Sequence, residues 1–160
     1  LALWERDVIF KYKEKYNIML TTAIKIASTA FEKDYDKGGT PYIMHLLYVM
    51  HKVKPLGETA MICAMLHDLI EDKESLGYDF KYLRSQGFSE EVILILQLLT
   101  HRKETPYMDY IKALSVHPIA KAIKKADLEH NTKVSRLKGL RKKDFDRLEK
   151  YSIAYQYLND

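Results

Sequence analysis

Very little in this chain staples or punctuates it. Its 160 residues include one cysteine, four prolines and six glycines. The single cysteine, Cys63, excludes an internal disulfide and fits a reducing, cytoplasmic setting. No apolar stretch approaches the ~18–20 residues that cross a bilayer, so no membrane partner is expected. The opening LALWERDVIF lacks a basic segment leading into a long apolar one and does not read as a signal peptide. No strand-like alternation persists, and there is no repeat or low-complexity linker. What remains is an ordinary globular balance, 47% hydrophobic and 30% charged. Length and the lack of a linker predict a single domain over residues 1–160.

The glycines and prolines mark the breaks in a helical pattern. A first helix is predicted over 3–15. A second covers 17–35, where Ile18, Leu20, Ala23, Ile26, Ala27, Ala30 and Phe31 recur at helical spacing. DKGGTP forces a loop. Helix resumes from Tyr42 to Val53, and the most apolar helix runs from Glu58 to Ile70, with the polar loop EDKESLG after it. A short helix occupies 79–86. Ser89 caps the next, with Glu90 and Glu91 in its first turn. Thr105-Pro106 reads as N-cap and first position of another, and His117-Pro118 opens one reaching Asn131. The last spans Lys143 to Leu158. The fold class is therefore all-α, a compact bundle of roughly eight to ten helices.

Net charge is +4, and most of the excess lies in residues 121–150, where eleven lysines and arginines meet five acids. Such a segment favours an anionic partner: a phosphorylated small molecule, nucleic acid or a membrane surface. A solvated helical face is the plain alternative.

Four residues draw attention as possible ligands. His67 and Asp68 end the apolar helix, and a carboxylate in such surroundings needs a cation, either a metal or a Lys or Arg side chain. Glu71 and Asp72 follow one turn further on, where two carboxylates could activate water and protonate a leaving group, or simply form a polar turn. Asp127 borders the apolar face of its helix with Asn131 one turn later, and Lys124 three residues before it is the competing partner. His45 follows the GGTPYIM loop. Each has an ordinary reading by itself.

Together they resemble a family. The order His45, His67-Asp68, Asp127 is similar to that of the HD-domain metal-dependent phosphohydrolases. Within these, GTPYIMH, LHDLIED and KKADLEHN resemble the G-x-P-Y-I-x-H, L-H-D-x-x-E-D and K-L-A-D-x-x-H-N segments of RelA/SpoT-type alarmone hydrolase domains. The likeness covers roughly residues 20–140, and the synthetase and regulatory domains of long members have no room here, so a stand-alone hydrolase domain is expected.

That resemblance implies a divalent metal on His45, His67, Asp68 and Asp127. Manganese comes first, with iron, cobalt or zinc also suited to two imidazoles and two carboxylates. It implies catalytic roles for Glu71 and Asp72 and substrate contacts from Lys37, Tyr42 and Asn131. The substrate would be ppGpp, losing its 3′-pyrophosphate, with a role in the stringent response and with homo-oligomers left open. Two positions depart from the family pattern. Asp36 stands where the first basic residue ahead of the loop usually contacts guanine, and Val134 replaces a threonine. Both fall on the nucleoside pocket, which keeps another phosphohydrolase, such as a nucleoside 5′-monophosphatase, in view. A non-catalytic anion- or nucleic-acid-binding module is the third reading; four ligands and a carboxylate pair argue against it. His101, Arg102 and Lys103 could reach phosphates or merely end a helix, and His130 could support the site or pack. Cys63 is expected to be a buried inert thiol.

Overall fold

The computed structural model describes residues 18–160, so the helix expected over 3–15 lies outside the described residues. Among the described residues there are nine α-helices and no strand; one isolated bridge joins Tyr35 to Pro41. The helices are α1 (described over 18–30), α2 (Ile43–Val53), α3 (Glu58–Leu66), α4 (Leu69–Lys73), α5 (Phe80–Ser85), α6 (Glu90–Leu99), α7 (Tyr107–Ser115), α8 (Pro118–Asn131) and α9 (Lys142–Asn159). The all-α expectation holds.

The centre of the bundle is α3. Its sequence ETAMICAML is apolar on every side, and Ala60 and Ile62 through Leu66 are buried. A helix without a polar face must be surrounded, and α2, α6 and α8 pack around it. By contrast, α2 is amphipathic: His45, Leu46, Val49 and Val53 point inward, while Lys52 is exposed. α2 lies against both α3 and α8. These three helices bring the ligand candidates together.

The expected helix from Glu58 to Ile70 is in fact two. It breaks at His67-Asp68, where Asp68 (φ −97°, ψ −4°) becomes the N-cap residue of α4. Glu71 and Asp72 therefore stand on a helix rather than in a loop. Ser89 caps α6 as expected, its hydroxyl accepting from the Val92 amide at 3.3 Å. Helix α7 starts one residue later than expected, with Pro106 as its N-cap. α1 ends near residue 30 and gives way to turns, well before 35.

The DKGGTP loop is drawn tight by one side chain. Asp36 Oδ1 accepts from the amides of Gly38 (2.8 Å) and Thr40 (2.9 Å). A Cβ at Gly38 would lie 2.3 Å from the carbonyl oxygen of Arg136, so only glycine lets the two backbones approach.

Candidate metal centre

His45, His67 and Asp127 are almost wholly buried, and Asp68 is partly so. Their donor atoms converge. His45 Nε2 lies 3.2 Å from Asp127 Oδ1 and 3.6 Å from Asp68 Oδ2, and His67 Nε2 lies 3.0 Å from Asp68 Oδ2 and 3.8 Å from Asp127 Oδ1. Among the described residues neither Nε2 has a hydrogen-bond partner, although both are buried. Asp68 Oδ2 and Asp127 Oδ1 thus each lie against both imidazoles.

The break between α3 and α4 makes this convergence possible. As N-cap residue, Asp68 would ordinarily bond the amides of α4. It makes no such bond. Its Oδ2 instead accepts from the Tyr42 hydroxyl at 2.5 Å, beside the two imidazoles. Burial and the Asp68 charge keep the Tyr42 phenol protonated, so it is always the donor.

Asp127 has two partners besides the histidines. Its Oδ2 takes the Lys124 ammonium at 2.7 Å, and its Oδ1 takes Asn131 Nδ2 at 2.5 Å. The ion pair with Lys124 and the approach to the histidines thus coexist, one on each oxygen. Burial opposes both charges, but each outweighs it for the other: Lys124 is held well above the usual range and Asp127 well below it. At His67 burial again opposes charge, yet Asp68 and Asp127 overcome it and lift the imidazole to about 10.

The residues present fit a divalent ion. Metal–ligand bonds of ~2.1 Å put neighbouring ligand atoms about 3.0–3.4 Å apart, close to the spacing here. His67 Nδ1 lies 2.7 Å from the Ala64 carbonyl and must donate to it, which leaves Nε2 bare in the neutral ring. His45, His67 and Asp127 offer three buried ligand atoms within 4.8 Å of one another, and Asp68 lies beside them.

Glu71 and Asp72 look toward different clefts on either side of α4. Asp72 borders a cavity of about 380 Å³ with Phe31, Asp34, Tyr42 and Lys73; Glu71 borders one of about 270 Å³ with Thr100, His101, Arg102 and Lys103. Partial burial, reinforced by the charges of Asp68 and Glu71, pushes the Asp72 carboxyl up to about 6. Glu71 accepts from the His101 amide at 3.1 Å. The α6–α7 loop therefore touches Glu71 through its backbone, a contact that the side chains of His101, Arg102 and Lys103 did not foretell. Lys37 and Asn131 line a common small crevice with Asp36 and Arg136. Lys37 is exposed and 3.6 Å from Asp144.

No family model and no curated protein match this chain. Among solved structures, one described as a metazoan ortholog of SpoT that hydrolyzes ppGpp and plays a role in starvation responses aligns with a TM-score of 0.70. The alignment covers 88% of this chain and 84% of that one, at 19% identity. This chain shares the fold of that protein. Within this fold the donor cluster is built from α2, the α3–α4 break and α8. Among the described residues no helix is long and apolar enough to cross a membrane.

Asp36, the departure from the family pattern ahead of the loop, has a partner of its own. Its Oδ2 is paired with Arg136 Nη2, so it is committed to the loop and to Arg136 and does not offer a free edge to a base. Arg136 itself was visible in the sequence only as one charge in a basic segment. Nothing local marks it, because its partners lie in the DKGGTP loop and at His130.

Proposed function

We propose that residues 1–160 form one HD-type phosphohydrolase domain that removes the 3′-pyrophosphate of (p)ppGpp or a closely related nucleotide, using a divalent ion held by His45, His67, Asp68 and Asp127. One observation carries this reading: two buried imidazole nitrogens without partners face two carboxylate oxygens at 3.0–3.8 Å. A bound ion would supply polarisation of a phosphoryl oxygen and acidification of water. Two imidazoles and two carboxylates favour Mn, then Fe, Co or Zn.

The chain's own groups divide the remaining work. Glu71, fixed by the His101 amide, orients the attacking water and accepts its proton. Asp72, raised to about 6, keeps a protonated minority at neutral pH that an ordinary carboxylate lacks, and that form delivers its proton to the departing 3′ oxygen. The phosphorus–oxygen bond at the 3′ position breaks, and the water oxygen leaves in pyrophosphate. Asn131 and Lys37, which share a crevice, and Tyr42 hold the nucleotide.

A second reading, another HD phosphohydrolase such as a nucleoside 5′-monophosphatase, is favoured by the commitment of Asp36 to Arg136 and the exposed, apolar Val134. A nucleotide panel with Mn2+ separates them. Pyrophosphate release from ppGpp, lost in Asp68→Ala, is the expected outcome. Turnover of 5′-monophosphates with none of ppGpp would reject the alarmone assignment.

A further inference from the structure

His67 and His45 reach the donor cluster through the same nitrogen, but by different devices. His67 Nδ1 rests on a backbone carbonyl, which can only accept. His45 Nδ1 instead meets another imidazole nitrogen, His130 Nδ1, at 2.7 Å. Two such nitrogens can share either proton, so this contact alone leaves the face of His45 undecided.

Arg136 decides it. Its Nη1 lies 2.7 Å from His130 Nδ1 and 2.8 Å from the His130 carbonyl. A guanidinium has donors and no acceptor. His130 Nδ1 must therefore be bare, and the proton between the two histidines belongs to His45 Nδ1. His45 Nε2 is then bare and faces Asp127 Oδ1 at 3.2 Å. The guanidinium is anchored by Asp36 Oδ2, and the other Asp36 oxygen is occupied by the Gly38 and Thr40 amides. Tyr48 stacks on His130 at 4.3 Å between centroids and keeps its ring in place.

We propose that Asp36 and Arg136 are positioning residues that act through His130 to fix the tautomer of His45 and so present its Nε2 to the metal. This rests on the metal-site reading above. It also gives Asp36, which lines the crevice of Lys37 and Asn131, a task in supporting a ligand through a partner 100 residues away in sequence.

Two variants test it. Arg136→Met removes the donors. Asp36→Asn keeps an oxygen for the loop amides while turning the Arg136-facing atom into a donor that repels the guanidinium. Long-range proton–nitrogen correlation spectra of the metal-free protein read the His45 tautomer directly, and calorimetry with Mn2+ alone reads affinity. The wild type should show His45 protonated at Nδ1. Both variants should show mixed tautomers and bind Mn2+ about 10–100-fold more weakly, with Arg136→Lys recovering part of the loss. An unchanged His45 tautomer and unchanged Mn2+ affinity in folded Arg136→Met, or in Asp36→Asn if the first does not fold, would overturn the proposal. Should the wild type bind no Mn2+ at all, the metal reading falls, and the tautomer spectra still decide the relay on their own.

Discussion

The Tyr42 hydroxyl donates to Asp68 Oδ2 at 2.5 Å, and Asp68 leaves the N-terminus of α4 uncapped. The phenol holds the carboxylate at the donor cluster and away from the helix amides that would otherwise claim it. Tyr42→Phe keeps the ring, which packs 5.0 Å from Phe31, and removes only the hydroxyl. Mn2+ affinity should fall about tenfold, while helicity by circular dichroism stays unchanged. Undiminished affinity would show that Asp68 needs no such restraint.

Lys124 is the partly buried counter-charge of the buried Asp127. Lys124→Met removes it and leaves a buried carboxylate short of a partner, at a cost of about 3–5 kcal/mol in the metal-free protein. Added Mn2+ should recover part of that loss, since anything that binds only the native state stabilises it. Denaturant unfolding with and without Mn2+ provides the measurement. A variant as stable as the parent in EDTA would contradict this account.

Metal affinity should climb with pH. His67 is lifted to about 10 by Asp68 and Asp127, against its burial, so at neutral pH an incoming ion must displace a proton. Below about 10, each unit of pH should strengthen binding by up to roughly tenfold from this group alone. Calorimetric titrations in buffers of different ionisation enthalpy would detect the released proton. A binding constant flat between pH 6 and pH 8 would count against the expectation.

The raised Asp72 carboxyl has its own pH signature. Its folded-state value, about 6, lies above its ordinary one, so ionisation destabilises the fold. The penalty is absent below about 4, grows as pH rises through 4–6, and is complete above. Asp72→Asn should therefore raise the melting temperature of the metal-free protein at pH 7, with the gain vanishing at pH 4. Solvent screening keeps the gain under about 1 kcal/mol, or ~2–4 °C. A gain that persists at pH 4 would point to some other cause.

Gly38→Ala tests the close approach of the loop to Arg136. The added methyl meets the Arg136 carbonyl and should cost about 1–3 kcal/mol, as overpacking does elsewhere. A loss of Mn2+ affinity should accompany it, because Arg136 moves. Wild-type stability in this variant would mean that the loop adjusts freely.

What could be read from the sequence follows how local each feature is. Helical periodicity is set by neighbours three and four residues apart, and most helices stand close to where the pattern puts them. The His67-Asp68 break was missed because TAMICAMLHDLI carries no glycine or proline to announce it; the turn is imposed by what Asp68 reaches for across the bundle. His45, His67, Asp68 and Asp127 drew attention through short motifs in a fixed order. The pairing of Asp36 was illegible for the opposite reason. Its role depends on Arg136, and no periodicity or motif connects the two.

The bare convergence of α2, the α3–α4 break and α8 has a mechanical side. An ion bound at that point would join His45 to Asp127 across more than half of the described chain, a crosslink that closes a long loop and exists only when the helices are already docked. Such a fastener would make a bound metal a reporter of folding as much as a tool of chemistry. Chelation should loosen the contacts of α2 and α8 with α3 first, and hydrogen exchange along those three helices would follow the ion as it leaves.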